Sequence, residues 1–203
     1  SKLIRRELAA HRRILFNGNG YSEEWPLEAA RRGLLNLRST PEALIHYTDE
    51  KNVALFARHG VYTRTEIQSR QDINMEEYAK IIHIEALTLI DMLGKLIVPA
   101  CAAYSKQLAE GVAAKAGIGV DAPAEAAQVR LLTEKTAELI ERTERLKAVV
   151  AAEPEELNAR AMYEHEAVIP AMEAARQVAD ELEGRVGKEY WPMPSYADLL
   201  FYV

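Results

Sequence analysis

The sequence predicts an all-α fold: an antiparallel three-helix bundle with long, proline-kinked helices, plus a smaller region of short helices at the N-terminal end. Three observations carry that expectation. The 203 residues are 49% hydrophobic and 28% charged with only ten Gly and eight Pro, and the apolar share is mostly Ala, Leu, Ile and Val, a composition suited to helices. Beyond about residue 63, apolar residues recur every three or four positions through three long stretches, the period of one helix face. The connections between those stretches are short, which makes sequential helices antiparallel neighbours.

The elements follow in chain order. Residues 2–13 place Leu3, Ile4 and Leu8 on one face and Arg5, Arg6, Arg12 and Arg13 elsewhere, a charge excess that suits the C-terminal end of a helix dipole. Phe16-Asn17-Gly18-Asn19-Gly20-Tyr21 reads as a turn, since Asn and Gly tolerate positive φ. Ser22 is placed to cap a short helix that Gly33 ends. Thr40-Pro41 starts a second short helix, with Pro at its first position. Asp49 opens a third, which Gly60 closes.

Thr63-Arg64-Thr65-Glu66 is a capping box. The pattern it starts runs to about Gly117, interrupted only by Gly94 and Pro99. A straight helix of about 52 residues would be about 78 Å long. A compact globule of this chain length has a radius of gyration of about 17 Å. A bend at Pro99 and an elongated domain are therefore both expected. Asp121 is read as the next cap. Val129, Leu132, Thr136, Leu139, Thr143, Leu146 and Val150 then repeat at alternating spacings of 3 and 4, a heptad seam. After Glu153-Pro154-Glu155-Glu156, the third stretch sets Ala161, His165, Val168, Met172, Ala175, Ala179, Leu182 and Val186 on a similar seam across Pro170. Ile97-Val98-Pro99-Ala100 and Val168-Ile169-Pro170-Ala171 look alike and predict two similar bends. The expected organisation is residues 1–62 as a short-helix region with the Asn/Gly loop, 63–187 as the bundle, and 188–203 as an aromatic tail. That tail holds Tyr190, Trp191, Tyr196, Phe201 and Tyr202, five of the 14 aromatic residues, too many to leave in water.

Charge and cysteine usage exclude several functions. With 25 Lys+Arg against 31 Asp+Glu and a net charge of −6, neither a nucleic acid nor an anionic membrane is an expected partner. No charged-then-apolar leader opens the chain, and no stretch of roughly 18 residues lacks charge, so secretion and membrane spanning are not expected. Cys101 is the one cysteine and makes no demand for an oxidising compartment. A cytoplasmic location fits these features.

Candidate chemistry is sparse. His11, His46, His59, His83 and His165 never stand at helical i, i+3 or i+4 spacing to one another, so no metal ligand set is expected. His83 and Glu85 with Asp91 could form a polar site in an apolar helix, but i and i+2 do not share a face. Inter-helix hydrogen bonds or the solvated face account for them as well, and His165 reads as a core or boundary residue. The Asn17–Gly20 loop could present backbone N–H groups to an anion, although a lone Gly-x-Gly with no preceding strand reads first as a turn. Cys101 should be buried and inert. No catalytic residue stands out.

Several longer blocks carry a resemblance. They are Arg13-Ile14-Leu15-Phe16-Asn17-Gly18-Asn19-Gly20-Tyr21-Ser22-Glu23-Glu24-Trp25, Arg32-Gly33-Leu34-Leu35-Asn36-Leu37 and Glu50-Lys51-Asn52-Val53-Ala54-Leu55-Phe56. His83-Ile84-Glu85-Ala86-Leu87-Thr88 and the run from Lys188 to Phe201 complete the set. Together they resemble the C-terminal region of type III glutamine synthetases from one end of the chain to the other. The resemblance implies a parent enzyme that uses ATP and Mg or Mn to join ammonia to glutamate through a γ-glutamyl phosphate. It also implies a dodecamer of two stacked rings. In that family the ATP, metal and glutamate residues sit earlier in the chain, so the resemblance transfers no catalytic residue and no cofactor to this segment. Its implied partners are the catalytic core of the same chain and the other subunits. Asn19-Gly20-Tyr21-Ser22 with the following Ser39–Leu44 also resembles the loop of type I enzymes that carries an adenylylated tyrosine. Tyr21 stands in that place, which makes Asn17, Gly18, Asn19, Gly20, Tyr21 and Ser22 the expected loop near an active site. A non-catalytic structural or oligomerisation domain is thus expected; the alternative is a free-standing helical interaction module.

Overall fold

In the computed structural model, which describes residues 1–194 and 196–201, all the regular structure is helical. Four short helices come first: α1 (Lys2–Ala10), α2 (Glu24–Arg31), α3 (Thr40–Leu44) and α4 (Glu50–Arg58). Gly33 and Gly60 follow α2 and α4 with φ of 71° and 62°, a left-handed stop that favours glycine. Three caps differ from expectation. Ser22 donates its hydroxyl to the Asn19 carbonyl and does not cap α2. Asp49 precedes α4 without a capping bond, because its carboxylate pairs with His46 Nδ1 at 3.0 Å. Asp121 does not cap the next long helix, whose N-cap is Ala122.

The first long rod is α5 (Arg64–Met92), a π turn (Leu93–Ile97) and α6 (Val98–Gly117). Its N-terminus is the expected capping box: Thr63 accepts from the Glu66 amide, and the Glu66 carboxylate accepts from the Thr63 amide at 2.7 Å. The second rod is α7 (Pro123–Ala151). The third is α8 (Leu157–Tyr163), a π turn (Glu164–Val168) and α9 (Ile169–Glu183), with a short α10 (Tyr196–Leu200) after it. Each π turn ends two residues before a proline, Pro99 and Pro170. Val98 N–H donates to the Leu93 carbonyl and Ile169 N–H to the Glu164 carbonyl, each reaching one residue further than an α-helical bond.

The core runs along the bundle in three clusters. Leu44, Met75, Ala79 and Ala161 form the first. Ala86, Leu146 and Val168 form the second. Leu93, Ile97, Cys101, Leu132, Leu139, Ala175, Val178, Ala179, Leu182 and Val186 form the third and largest. The α7 seam packs within this chain, with Leu132, Leu139, Thr143 and Leu146 buried. Burial pushes the Cys101 thiol above its ordinary range.

The third seam carries a correction. His165 is only partly buried, and Glu164 occupies the core-facing position between Ala161 and Val168. Ala161, Val168, Ala175 and Leu182 keep their seven-residue spacing, and the intervening core place falls three residues after Ala161 rather than four. In the tail, Tyr190, Trp191 and Met193 pack on the largest cluster, with the Tyr190 ring 5.3 Å from that of Tyr104. Phe201 stays exposed. The expected docking of Tyr202, and of the Tyr196 side chain, lies outside the described residues. Among the described residues no helix is long and apolar enough to cross a membrane.

Candidate functional site

The Asn17–Ser22 loop is a turn braced from below. The Asn19 side chain accepts from the Tyr21 amide at 3.0 Å, and the Ser22 hydroxyl reaches the Asn19 carbonyl at 2.8 Å. Phe16 packs on Trp25 with ring centroids 4.8 Å apart. Arg32 ties the approach to α2, donating to the carbonyls of Arg13 and Leu15 at 3.1 and 2.6 Å. Glu28 sits between Arg31 and Arg32, whose guanidinium groups hold its carboxyl down to about 2. Tyr21 projects fully into solvent. The loop therefore presents one aromatic hydroxyl to solvent, and the Phe16 ring tip lies against Gly18, 2.4 Å from where a Cβ would stand, so a side chain there would push that ring aside.

A second cluster lies inside the bundle. His83 is on α5, Glu153 is in the connection after α7, and Glu164 opens the π turn. His83 Nδ1 lies 2.8 Å from one Glu153 oxygen and 3.0 Å from the other. Glu164 is wholly buried, and neither of its carboxylate oxygens has a hydrogen-bond partner among the described residues. Each of the three side chains offers one ligand atom, and these lie within 4.8 Å of one another. Loss of water, and then the Glu153 carboxylate, raise the Glu164 carboxyl to about 7, against opposing pulls from His83 and Arg160. A cleft of about 230 Å³ lined by Glu76, Lys80, His83, Glu153 and Arg160 reaches His83 and Glu153 from solvent, with Glu164 buried behind them.

The residues grouped from the sequence do not meet. Glu85 and Asp91 both face solvent, and Asp91 pairs with Lys95 one turn on. Glu153 and Glu164 went unrecognised. A signal for Glu164 was present: it stands six residues before Pro170, as Leu93 stands six before Pro99. A glutamate thus fills a place that the matching bend gives to leucine.

Comparison with known proteins gives the family. The family profile described as "Glutamine synthetase C-terminal domain" matches residues 1–116. A type-3 glutamine synthetase from Dictyostelium discoideum is 37% identical over 210 residues, 99% of this chain and 28% of that protein. A glutamine synthetase from Butyrivibrio fibrisolvens is 35% identical over 98% of this chain and 29% of its own length, and one from Bacteroides fragilis is 32% identical over 98% and 28%. The chain spans under a third of the length of these curated relatives. With a family profile over more than half of its residues and likeness to type III enzymes throughout, the chain belongs to the C-terminal domain family of type III glutamine synthetases.

Proposed function

We propose that this chain is the non-catalytic, assembly-forming C-terminal domain of a cytoplasmic type III glutamine synthetase. On this reading the parent enzyme ligates ammonia to glutamate with ATP and Mg or Mn, through γ-glutamyl phosphate. Its catalytic residues lie on the part of the relatives that this chain does not cover. Residues 1–62 join that core to the bundle of 63–187, and the tail from 188 braces the bundle's far end.

One observation carries the reading. Helix α1 buries none of its residues, and Leu3, Ile4 and Leu8 are 49–59% exposed. Along the outer side of α5, Ile73, Ile81, Ile84 and Leu87 are 47–59% exposed. Large side chains in such rows call for a covering surface, and a catalytic core with neighbouring subunits supplies one. In the intact enzyme, Ile84→Asp combined with Leu87→Asp is expected to lower the native mass below that of the dodecamer while the isolated domain keeps its helical content. An unchanged native mass would remove the assembly role. The isolated domain is expected to make no glutamine.

The Asn17–Ser22 loop is assigned, on the same reading, to the neighbourhood of the active site. Its exposed Tyr21 hydroxyl is the group that would meet a ligand or a regulator. Tyr21→Phe in the intact enzyme should alter kinetics without altering stability; identical kinetics would detach the loop from the active site.

A further inference from the structure

Glu164 poses a physical problem that the assembly role does not solve. A buried carboxylate without a partner is among the costliest groups a fold can hold. When ionised it offers only acceptor oxygens, and those at Glu164 receive no donor. The nearest polar groups are His83 and Glu153, which already face each other. Arg160, the nearest candidate counterion, is turned away: its guanidinium donates to the carbonyls of Pro154 and Glu155 at 2.8 and 3.3 Å.

We propose that His83, Glu153 and Glu164 bind one divalent transition-metal cation of the Zn2+ or Mn2+ class, tying α5, the α7–α8 connection and the second π turn together. The donor set is one imidazole nitrogen and two carboxylate oxygens, which suits Zn2+ or Mn2+ better than a purely oxygen-seeking ion. Two ionised carboxylates match the charge of a divalent cation. Bonds of about 2.0–2.2 Å in a tetrahedral site set ligand atoms about 3.3–3.6 Å apart. The three ligand atoms lie within 4.8 Å of one another, so side-chain rotations that bring the widest pair together by roughly 1–1.5 Å close the site. The cleft past Glu76 and Lys80 gives the ion its entry path, and a water from that side completes the coordination. The Glu164 oxygens then gain the partner that they lack.

The test uses the 203-residue chain stripped with a chelator, then titrated calorimetrically with ZnCl2, MnCl2 and MgCl2 while thermal melting is followed in parallel. One equivalent of Zn2+ should bind, Mn2+ more weakly and Mg2+ weakest, and the melting temperature should rise with free metal. His83→Gln, Glu153→Gln and Glu164→Gln should each weaken Zn2+ by at least about 100-fold, beyond the 10–100-fold cost of losing a supporting group. Glu164→Leu, which copies Leu93, should fold and take up none. Absence of stoichiometric uptake by the unmodified chain would overturn the site and leave a proton shared between Glu153 and Glu164 in its place. Uptake undiminished in Glu164→Leu would overturn it too. Should that variant not fold, Glu153→Gln, on the cleft wall, decides in the same way.

Discussion

At Leu93–Ile97 and at Glu164–Val168 the bundle uses one backbone device twice. Each π turn is five residues long, starts six residues before a proline, and carries the i→i−5 bond on its first carbonyl. Each buries its first and last side chains. The first turn fills those places with Leu93 and Ile97 and merges into the largest apolar cluster. The second fills them with Glu164 and Val168. Because the first turn works with leucine, the π turn itself asks for no carboxylate. The reason for Glu164 must lie in what it faces, namely His83 and Glu153.

The comparison breaks most visibly by exchanging the two fillings. Leu93→Glu would place a carboxylate in an apolar cluster with no imidazole beside it. The cost should be about 3–5 kcal/mol, read as a fall in denaturant midpoint, and is large enough to leave much of the chain unfolded. A loss below about 1 kcal/mol would mean that the opening position of these turns tolerates any side chain. The reverse exchange, Glu164→Leu, should stabilise the metal-free chain by about 1–3 kcal/mol, as apolar replacements of buried ionic groups do. His83 and Glu153 would keep each other. A loss of stability in that variant would show that Glu164 is held by interactions of its own.

Acidity sharpens the contrast between the turns. The groups facing Glu164 are Glu153, His83, Arg160 and Tyr78. With its carboxyl raised from the ordinary 4.5 to about 7, the folded metal-free chain holds a proton that the unfolded chain releases earlier. Stability from this group is therefore full below pH about 4.5 and is lost as pH rises to about 7. Denaturant midpoints taken from pH 4.5 to 7.5 should show that decline, and Glu164→Leu should remove it. The same slope in both proteins would locate the titration elsewhere.

Much of this bundle was legible in the sequence, for a physical reason: a seam such as Val129–Val150 follows one helical period without interruption, so burial tracks spacing. The capping box at Thr63 was readable because its chemistry is local. The caps at Ser22 and Asp49 were not, since each side chain found another nearby partner, the Asn19 carbonyl and His46. The inner site was illegible at its centre. From Ala161, spacings of three and of four both reach Val168 in seven residues, so the period alone does not choose between Glu164 and His165; the structure buries Glu164. Its partners His83 and Glu153 are 70 residues apart, a separation that no local spacing encodes.

The smallest effect concerns the prolines themselves. Pro99 and Pro170 lack the N–H that would close an α-helical bond at their position, so each makes a π turn cheaper than an α turn. Yet what holds the turns open is packing on both sides. Straightening the second one would remove one residue from the spiral and rotate α9 by about 100°, taking Ala175, Val178, Ala179 and Leu182 out of the core that they now fill. Pro170→Ala and Pro99→Ala should therefore each keep their π turn and change stability by less than about 1 kcal/mol, mostly through the freer unfolded chain. Paired unfolding curves, with amide exchange at Val98 and Ile169, read both halves of that expectation. A change above about 2 kcal/mol at Pro170 alone would mean that the second turn, loaded with a buried carboxylate, relies on its proline where the leucine-filled turn does not.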